Sequence, residues 1–170
     1  MTGVQTCALP IFDDMQRVAS EIHIPIATGE RLHTLEEFGM LLARNACQYI
    51  RPDVCLCGGI TQAKKIAAAA EARGVLVVPH NPLSPVSTAA CIQLAASIPN
   101  FAIQEYPLGE DCAPKNEIVK STLTLDNGYL TVPDSPGIGI ELNEQAMHQY
   151  PYKPRLYVTK LREDGSVVDQ

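Results

Sequence analysis

Four stretches of this chain share one arrangement: a short apolar run of strand type ends in one polar side chain, and a helical pattern follows. The runs cover residues 24–30, 48–53, 75–80 and 101–105, and their end residues are Glu30, Asp53, His80 and Glu105. They lie 23, 27 and 25 positions apart, and each interval accommodates a strand, a crossover helix and two short loops. This repeat predicts a parallel α/β barrel or wound sheet. Because active sites of such folds lie where strands end, we expect the four side chains to converge on one rim.

Helix signals fill the intervals between the strand runs. Thr34 and Glu37 have capping-box spacing at the start of one helix. The other predicted helices cover residues 13–21, residues 62–73 with a stop at Gly74, and residues 84–97. After Pro107 the pattern changes to two strand-like runs at 121–125 and 129–132 that flank an Asp-Asn-Gly turn, and the tail ends in a polar, strand-like segment. We expect this tail to belong to another layer.

Length and charge limit the folds and the binding partners that this chain can have. A complete (β/α)8 barrel needs about 250 residues, whereas this chain has 170, which indicates half a barrel. The chain has no run approaching the roughly 20 apolar residues of a membrane span. A net charge of −6 and 13 scattered Lys and Arg residues argue against a nucleic-acid partner. An acidic rim suits a divalent cation.

The cysteines favour a reducing compartment. The six cysteines lack paired metal-finger spacing, and Cys55 and Cys57 have no second Cys or His pair nearby to complete a zinc site. Most lie in apolar segments, where a reduced thiol packs as a small hydrophobic group. We therefore predict a cytoplasmic protein.

Residues 1–11 have neither strand alternation nor a good helical face. They resemble a translated sequencing adapter, and on that interpretation they are an artefact that does not belong to the folded protein. A natural N-terminal arm and a poor signal peptide are the alternatives.

Several short motifs occur in an order and spacing that resemble the enolase superfamily. They are IATGER at 26–31, RPD at 51–53 with GGIT at 58–61, PHNPLSP at 79–85, IQEY at 103–106 and PGIG at 136–139. The resemblance is to the mandelate racemase subgroup and its acid-sugar dehydratases of galactonate dehydratase type. It implies that residues 12–107 form the C-terminal half of a (β/α)7β TIM-type barrel. It also implies that the hairpin and tail at 108–170 pack on a capping domain that is missing from this chain.

The resemblance also implies a role for each strand-end residue. Glu30 matches the last of three carboxylates that hold Mg²⁺, which binds the substrate carboxylate and stabilises the enediolate formed by proton loss. His80 matches a base or acid, and Asp53 matches the partner that fixes its tautomer. Glu105 matches a carboxyl group that hydrogen-bonds the substrate carboxylate. Without the resemblance, all four could be ordinary loop or turn residues.

Three further residues are candidates for substrate binding. Arg51 lies two positions before Asp53 and therefore faces the same side of the strand, where it could reach the substrate or only neutralise carboxylates. Arg31 and His33 follow Glu30 on its loop, and substrate contact is one possibility for both.

The implied function is Mg²⁺-dependent dehydration of a sugar acid, an aldonate such as galactonate, to a 2-keto-3-deoxy acid. The full-length protein would be a homo-oligomer acting on a small molecule. Nothing in the chain matches the first four barrel strands, two of the metal carboxylates or the second-strand acid/base groups, so the chain alone is expected to be inactive. A racemase, epimerase or cycloisomerase of the same superfamily, a truncated product without function and a binding module remain as alternatives.

Overall fold

Strands and helices alternate along the first part of the chain. A computed structural model describes residues 8–154 and 161–166. Its elements, in chain order, are α1 (Ala8–Glu21), β1 (Ala27–Thr28), α2 (Leu35–Ala43), β2 (Tyr49–Ile50), α3 (Gly59–Glu71), β3 (Leu76–Val77), α4 (Pro85–Ala96), a 3-10 helix (Lys115–Ile118), β4 (Leu125–Asp126), β5 (Tyr129–Leu130) and α5 (Ala146–Gln149).

The strands β1, β2 and β3 form one parallel sheet in that order. Phe101 extends the sheet beyond β3 through a parallel bridge to Val77. The N–H of Val77 donates to the carbonyl of Asn100 (2.8 Å), and the N–H of Ala102 donates to the carbonyl of Val77 (2.9 Å). The predicted parallel order of four runs is therefore confirmed. The prediction that 101–105 is a full strand is wrong, because only this bridge pairs it with the sheet.

Each paired strand is only two residues long, much shorter than the predicted apolar runs. Three prolines flank the paired segments: Pro25, Pro52 and Pro79. Proline has no backbone N–H, so it cannot donate to a ladder and limits regular pairing. The sheet pattern resumes after two of them, where the N–H of His80 donates to the carbonyl of Pro52 (3.1 Å) and Asp53 forms a parallel bridge with His80.

The helices pack beside one another and bury one apolar layer against the sheet. Contacts join α2 to α3, α3 to α4 and α3 to β3. The largest fully buried apolar side chains are Phe38, Leu41, Ile50, Ile66, Leu94 and Val77. No helix within residues 8–154 and 161–166 has the length and apolar character needed to cross a membrane.

The predicted capping box at the start of α2 is confirmed. The N–H of Glu37 donates to the Thr34 hydroxyl (3.2 Å), and the N–H of Thr34 donates to the Glu37 carboxylate (2.9 Å). The predicted helix at 84–97 is also present, as α4. The helix predicted from residue 13 begins earlier, at Ala8, and thus crosses the expected boundary between residues 11 and 12.

The prediction that the alanine-rich helix covers 62–73 is wrong at its start. The helix α3 runs from Gly59 to Glu71, and both Gly58 at the N-cap and Gly59 at the first position have positive φ (99° and 81°), a conformation that glycine adopts without steric cost. Gly74 is left-handed (φ 68°), as its role as a helix stop predicts.

The chain after Pro107 changes to antiparallel pairing. The predicted hairpin is confirmed, with Leu125 opposite Leu130 and the turn at Asn127 and Gly128, although only two residues of each arm pair. A separate antiparallel bridge joins Val119 to Leu142. The strand-like segment predicted for the tail lies largely outside the described residues.

The described cysteines are free thiols, and three of them are buried. Burial raises the pKa of Cys47 and Cys57 to about 11 and that of Cys91 to about 12. These values indicate unreactive packing groups, in line with the prediction from their apolar sequence surroundings.

Candidate active site

Asp53 and His80 form a buried pair at the ends of two adjacent strands. Asp53 Oδ2 lies 3.0 Å from His80 Nδ1, and the Asp53 side chain is 1% exposed. The backbone bridge between the same two residues fixes their side-by-side arrangement. With Asp53 as a carboxylate, Nδ1 must donate the hydrogen, so a neutral ring carries its lone pair on Nε2. The His80 side chain is 19% exposed, which leaves the ring accessible to a small molecule.

The loop after β2 satisfies the remaining oxygen of Asp53. The N–H of Cys55 donates to Asp53 Oδ1 (2.8 Å), and the N–H groups of Leu56 and Cys57 donate to the Asp53 carbonyl (3.1 and 2.8 Å). A buried carboxylate is tolerated only when it is paired and hydrogen-bonded, and both conditions hold here. The carboxylate is therefore held in one orientation toward His80.

Arg51 and Glu105 form a second pair next to the first. Arg51 Nη2 donates to Glu105 Oε2 (2.7 Å), and the backbone N–H of Asn81 donates to the same oxygen (2.8 Å). Partial burial alone would raise the pKa of Glu105, but the Asn81 N–H, the Arg51 guanidinium and nearby His80 together lower it below its usual value. Glu105 is thus an ionised hydrogen-bond acceptor in this structure. Of the two roles open to Arg51, neutralisation of a carboxylate is the one seen.

Asn81 belongs to the PHNPLSP motif at 79–85, which by itself predicts no role for this side chain. Its side chain is buried, and Nδ2 donates to Thr88 Oγ1 (2.7 Å) and to the Glu105 carbonyl (3.1 Å). Glu110, also missed, accepts from Thr88 Oγ1 through Oε2 (2.7 Å) and is 1% exposed. Glu110 lies in an irregular segment without periodicity, so no sequence pattern marks it as buried. The position of Asn81 directly after His80 was the available signal.

Glu30, Arg31 and His33 lie on the loop after β1, apart from these contacts. Glu30 is half-buried and lines, together with Arg31 and apolar residues such as Phe12, a cavity of about 340 Å³. The His33 side chain is exposed, and its backbone N–H donates to the Glu37 carboxylate (2.7 Å). A hydrogen bond therefore joins Asp53 to His80, and Glu105 is bonded to Asn81, the residue after His80, while Glu30 stands separately at the end of the neighbouring strand.

The described part of the chain lacks a complete cluster of metal-ligating side chains. Within residues 8–154 and 161–166, no three or more His, Cys, Asp or Glu side chains come together in a group that could hold a metal ion. Glu30 offers a hard oxygen ligand of the kind that Mg²⁺ prefers. Glu30 alone therefore fits the ligand chemistry of a magnesium ion, and the described residues do not by themselves form a complete metal site.

Gly29, which precedes Glu30, lies close against Phe38 and Arg51, and its replacement by Ala should destabilise the protein. Gly29 has φ +126°, and a Cβ there would lie 2.7 Å from Phe38 Cε1 and 3.2 Å from Arg51 N. We expect Gly29→Ala to lower the free energy of unfolding by about 1–3 kcal/mol. Gly39→Ala is the matched control, because a Cβ there meets nothing within 4 Å and the site is inside α2. That control should be stabilised by about 0.5–1 kcal/mol. Equal denaturation midpoints for the two variants would contradict this account.

Comparison with known proteins shows which protein family this chain matches. A family model described as "Enolase C-terminal domain-like" matches residues 8–146. D-galactonate dehydratase of Verminephrobacter eiseniae is 35% identical over 133 residues, which are 75% of this chain and 35% of that protein. The chain therefore spans about a third of the length of this curated relative.

Solved structures show the same similarity. An enolase from Agrobacterium radiobacter, crystallised with Na and L-malate, superposes with a TM-score of 0.82 at 34% identity, over 92% of this chain and 43% of that one. A mandelate racemase/muconate lactonizing enzyme from Jannaschia sp. CCS1 superposes with a TM-score of 0.79 at 33% identity, over 87% of this chain and 37% of that one.

Proposed function

Because this chain belongs to the enolase C-terminal domain-like family, we propose that it is the C-terminal part of an acid-sugar dehydratase. The enzyme would convert an aldonate such as galactonate to a 2-keto-3-deoxy acid. The observation that carries this proposal is the buried Asp53 carboxylate held 3.0 Å from His80, on a chain 35% identical to a D-galactonate dehydratase.

The pair supplies the proton chemistry that dehydration needs. In the proposed reaction His80 Nε2 takes the proton from the carbon next to the carboxylate, and the electron pair left behind expels the 3-hydroxyl, which leaves as water with a proton from the His80 imidazolium or from a group outside this chain. The resulting enol takes up a proton from water at C3 and loses the proton of its 2-hydroxyl to water, which gives the keto acid. Asp53 remains ionised and stabilises the charged imidazolium that forms. The products together contain the atoms of the substrate, with one water removed.

Glu105 and Arg51 would face the carboxylate end of the substrate. The pair is at hydrogen-bond distance (2.7 Å) and only partly buried, so an anionic substrate can compete for the guanidinium. An arriving carboxylate also raises the pKa of a neighbouring carboxyl group. Glu105 would then take up a proton and donate a hydrogen bond to the substrate as charge develops. Arg31 and His33 remain proposed substrate contacts on the loop after β1.

Glu30 is proposed as one of the Mg²⁺ ligands, with the others supplied by parts of the protein outside this chain. When bound, the ion would supply electrostatic stabilisation for the negative charge that develops on the substrate carboxylate. We also propose that residues 12–107 are the barrel part and that 108–170 packs on a capping domain. This division follows the change from parallel to antiparallel pairing after Pro107.

Glu30→Gln should weaken metal binding and activity together in the full-length protein that contains this segment. The amide keeps the size of the side chain but removes the charge that a hard cation requires. Isothermal titration with Mg²⁺ and a rate assay measure the two effects. Glu36→Gln, an exposed position in the first turn of α2, is the matched control and should change neither. Unaltered Mg²⁺ affinity in Glu30→Gln would remove Glu30 from the metal site.

A panel of aldonic and aldaric acids tests the proposed function directly. The full-length protein is incubated with each acid and Mg²⁺, and semicarbazide detects any 2-keto acid. We expect product from at least one aldonate. Inversion or isomerisation of an acid without keto-acid formation would favour the racemase, epimerase or cycloisomerase reading. Binding without any turnover would favour a binding module, and neither binding nor turnover would favour a product without function.

A further inference from the structure

Three buried polar residues next to the candidate active site are linked by hydrogen bonds. They are Glu110 (1% exposed), Thr88 and Asn81 (both 0% exposed). Thr88 Oγ1 lies 2.7 Å from Glu110 Oε2 and 2.7 Å from Asn81 Nδ2. The single hydrogen of the Thr88 hydroxyl has two acceptors within reach, Glu110 Oε2 and the more distant Ser84 carbonyl (3.3 Å). With that hydrogen on the shorter contact to Glu110, Thr88 accepts from Asn81, and the hydrogen bonds run in one direction from Asn81 to Glu110.

Asn81 connects these buried groups to Glu105 at two points. Its backbone N–H donates to the carboxylate oxygen Oε2 (2.8 Å), and its side-chain Nδ2 donates to the backbone carbonyl of the same residue (3.1 Å). Asn81 thus holds both the main chain and the side chain of Glu105 by hydrogen bonds. The position of Glu105 depends on these hydrogen bonds, because residues 101–105 are joined to the sheet by only one bridge, at Phe101.

The buried carboxyl group of Glu110 is costly for a purely structural role. Glu110 Oε1 has no hydrogen-bond partner among the described residues, and burial raises the pKa of this group. Packing of the same space by apolar side chains would avoid that cost, because replacement of buried polar groups is often neutral or stabilising. The hydrogen bonds nevertheless hold Asn81 Nδ2 between Thr88 Oγ1 and the Glu105 carbonyl and so define one orientation of the Asn81 side chain, although Asn81 Oδ1 also has no partner among the described residues.

We propose that Thr88 and Glu110 are positioning residues, which act through Asn81 to fix the Glu105 carboxylate at the rim of the active site. The catalytic part of this inference rests on the proposed function, in which Glu105 contacts the substrate carboxylate. The geometric part stands on the hydrogen bonds alone.

Paired substitutions in the full-length protein test the inference. Thr88→Val removes the hydroxyl and keeps the shape, whereas Thr88→Ser keeps the hydroxyl. Glu110→Leu removes the acceptor, whereas Glu110→Gln retains a carbonyl that can accept from Thr88. Two readouts apply to each pair: kcat and KM for the acid that yields keto acid, and hydrogen–deuterium exchange of residues 79–85. Three prolines in that segment leave few amides besides that of Asn81.

In Thr88→Val the amides of residues 79–85 should exchange with solvent faster than in the wild-type protein. The kcat should fall on the order of 10- to 100-fold, since small misplacements of a group at the reacting centre have such effects. Thr88→Ser should restore most of both values, and KM should change less than kcat. We expect faster exchange and a lower kcat in Glu110→Leu, and values closer to those of the wild-type protein in Glu110→Gln. This second pair provides the test if Thr88→Val does not fold. Equal kcat and equal exchange within both pairs would overturn the proposal.

The two proposals fail in different ways. If the wild-type protein forms no keto acid but Thr88→Val still speeds exchange at 79–85, the positioning geometry is supported and the proposed reaction fails. If the wild-type protein forms keto acid and both pairs behave alike, the reaction is supported and the positioning role is overturned.

Discussion

His80→Asn should leave the full-length protein able to bind sugar acid and Mg²⁺ but unable to form the 2-keto-3-deoxy product. Asn occupies part of the imidazole volume and can hydrogen-bond to Asp53, so the pocket should persist. It cannot accept a proton in the required pH range, and a group needed only in the transition state affects kcat rather than ground-state binding. Titration of the substrate measures binding, and semicarbazide measures product.

The control for this variant is His23→Asn. His23 is exposed in the loop between α1 and β1, away from the Asp53–His80 pair, and its replacement should leave the rate unchanged. Dehydration by His80→Asn at the normal rate would contradict the assignment. The proton would then be handled from the second-strand side outside this chain, and His80 would be only a substrate contact.

Asp53→Asn should lower the rate by several powers of ten without unfolding the protein. The amide oxygen can still accept from the Cys55 N–H, but the amide nitrogen then faces His80 Nδ1. A donor at that position stabilises the tautomer with its hydrogen on Nε2, so the lone pair points toward the wrong partner. The corresponding change in a serine-protease triad costs about 10⁴-fold for this reason.

Rate and thermal unfolding are compared in Asp53→Asn and in Asp134→Asn, an exposed control. Both variants should unfold cooperatively near the wild-type temperature, and only the first should be slow. A rate near that of the wild type for Asp53→Asn would show that the carboxylate does not set the tautomer of His80.

The contact between Asp53 and His80 was accessible from the sequence because it depends on topology. Side chains that follow adjacent parallel strands must end at the same edge, and the even spacing of the four runs already indicates that topology. The family resemblance drawn from short motifs, and the barrel-type fold that it implied, are likewise confirmed by the match to residues 8–146.

Other features depend on packing that no local pattern records. The strands are shorter than their apolar runs because Pro52 and Pro79 interrupt the ladder, and run length does not reveal where pairing stops. Glu105 follows a run that barely joins the sheet, so its position depends on Arg51 and Asn81 rather than on strand register. Burial of Glu110 depends on contact with Thr88, which is 22 positions away in the sequence.

Exchange of the hydrogen next to the substrate carboxylate is the most direct test of the central claim, which is that the Asp53–His80 pair moves this proton. The full-length wild-type protein and His80→Asn are incubated with Mg²⁺ and the most active aldonate in D₂O, and proton NMR follows the C2 hydrogen of the substrate and the C3 position of the product. We predict that the wild-type protein removes the C2 hydrogen and yields product carrying deuterium at C3, while His80→Asn does neither. Loss of the C2 hydrogen at the same rate in both proteins would contradict the account.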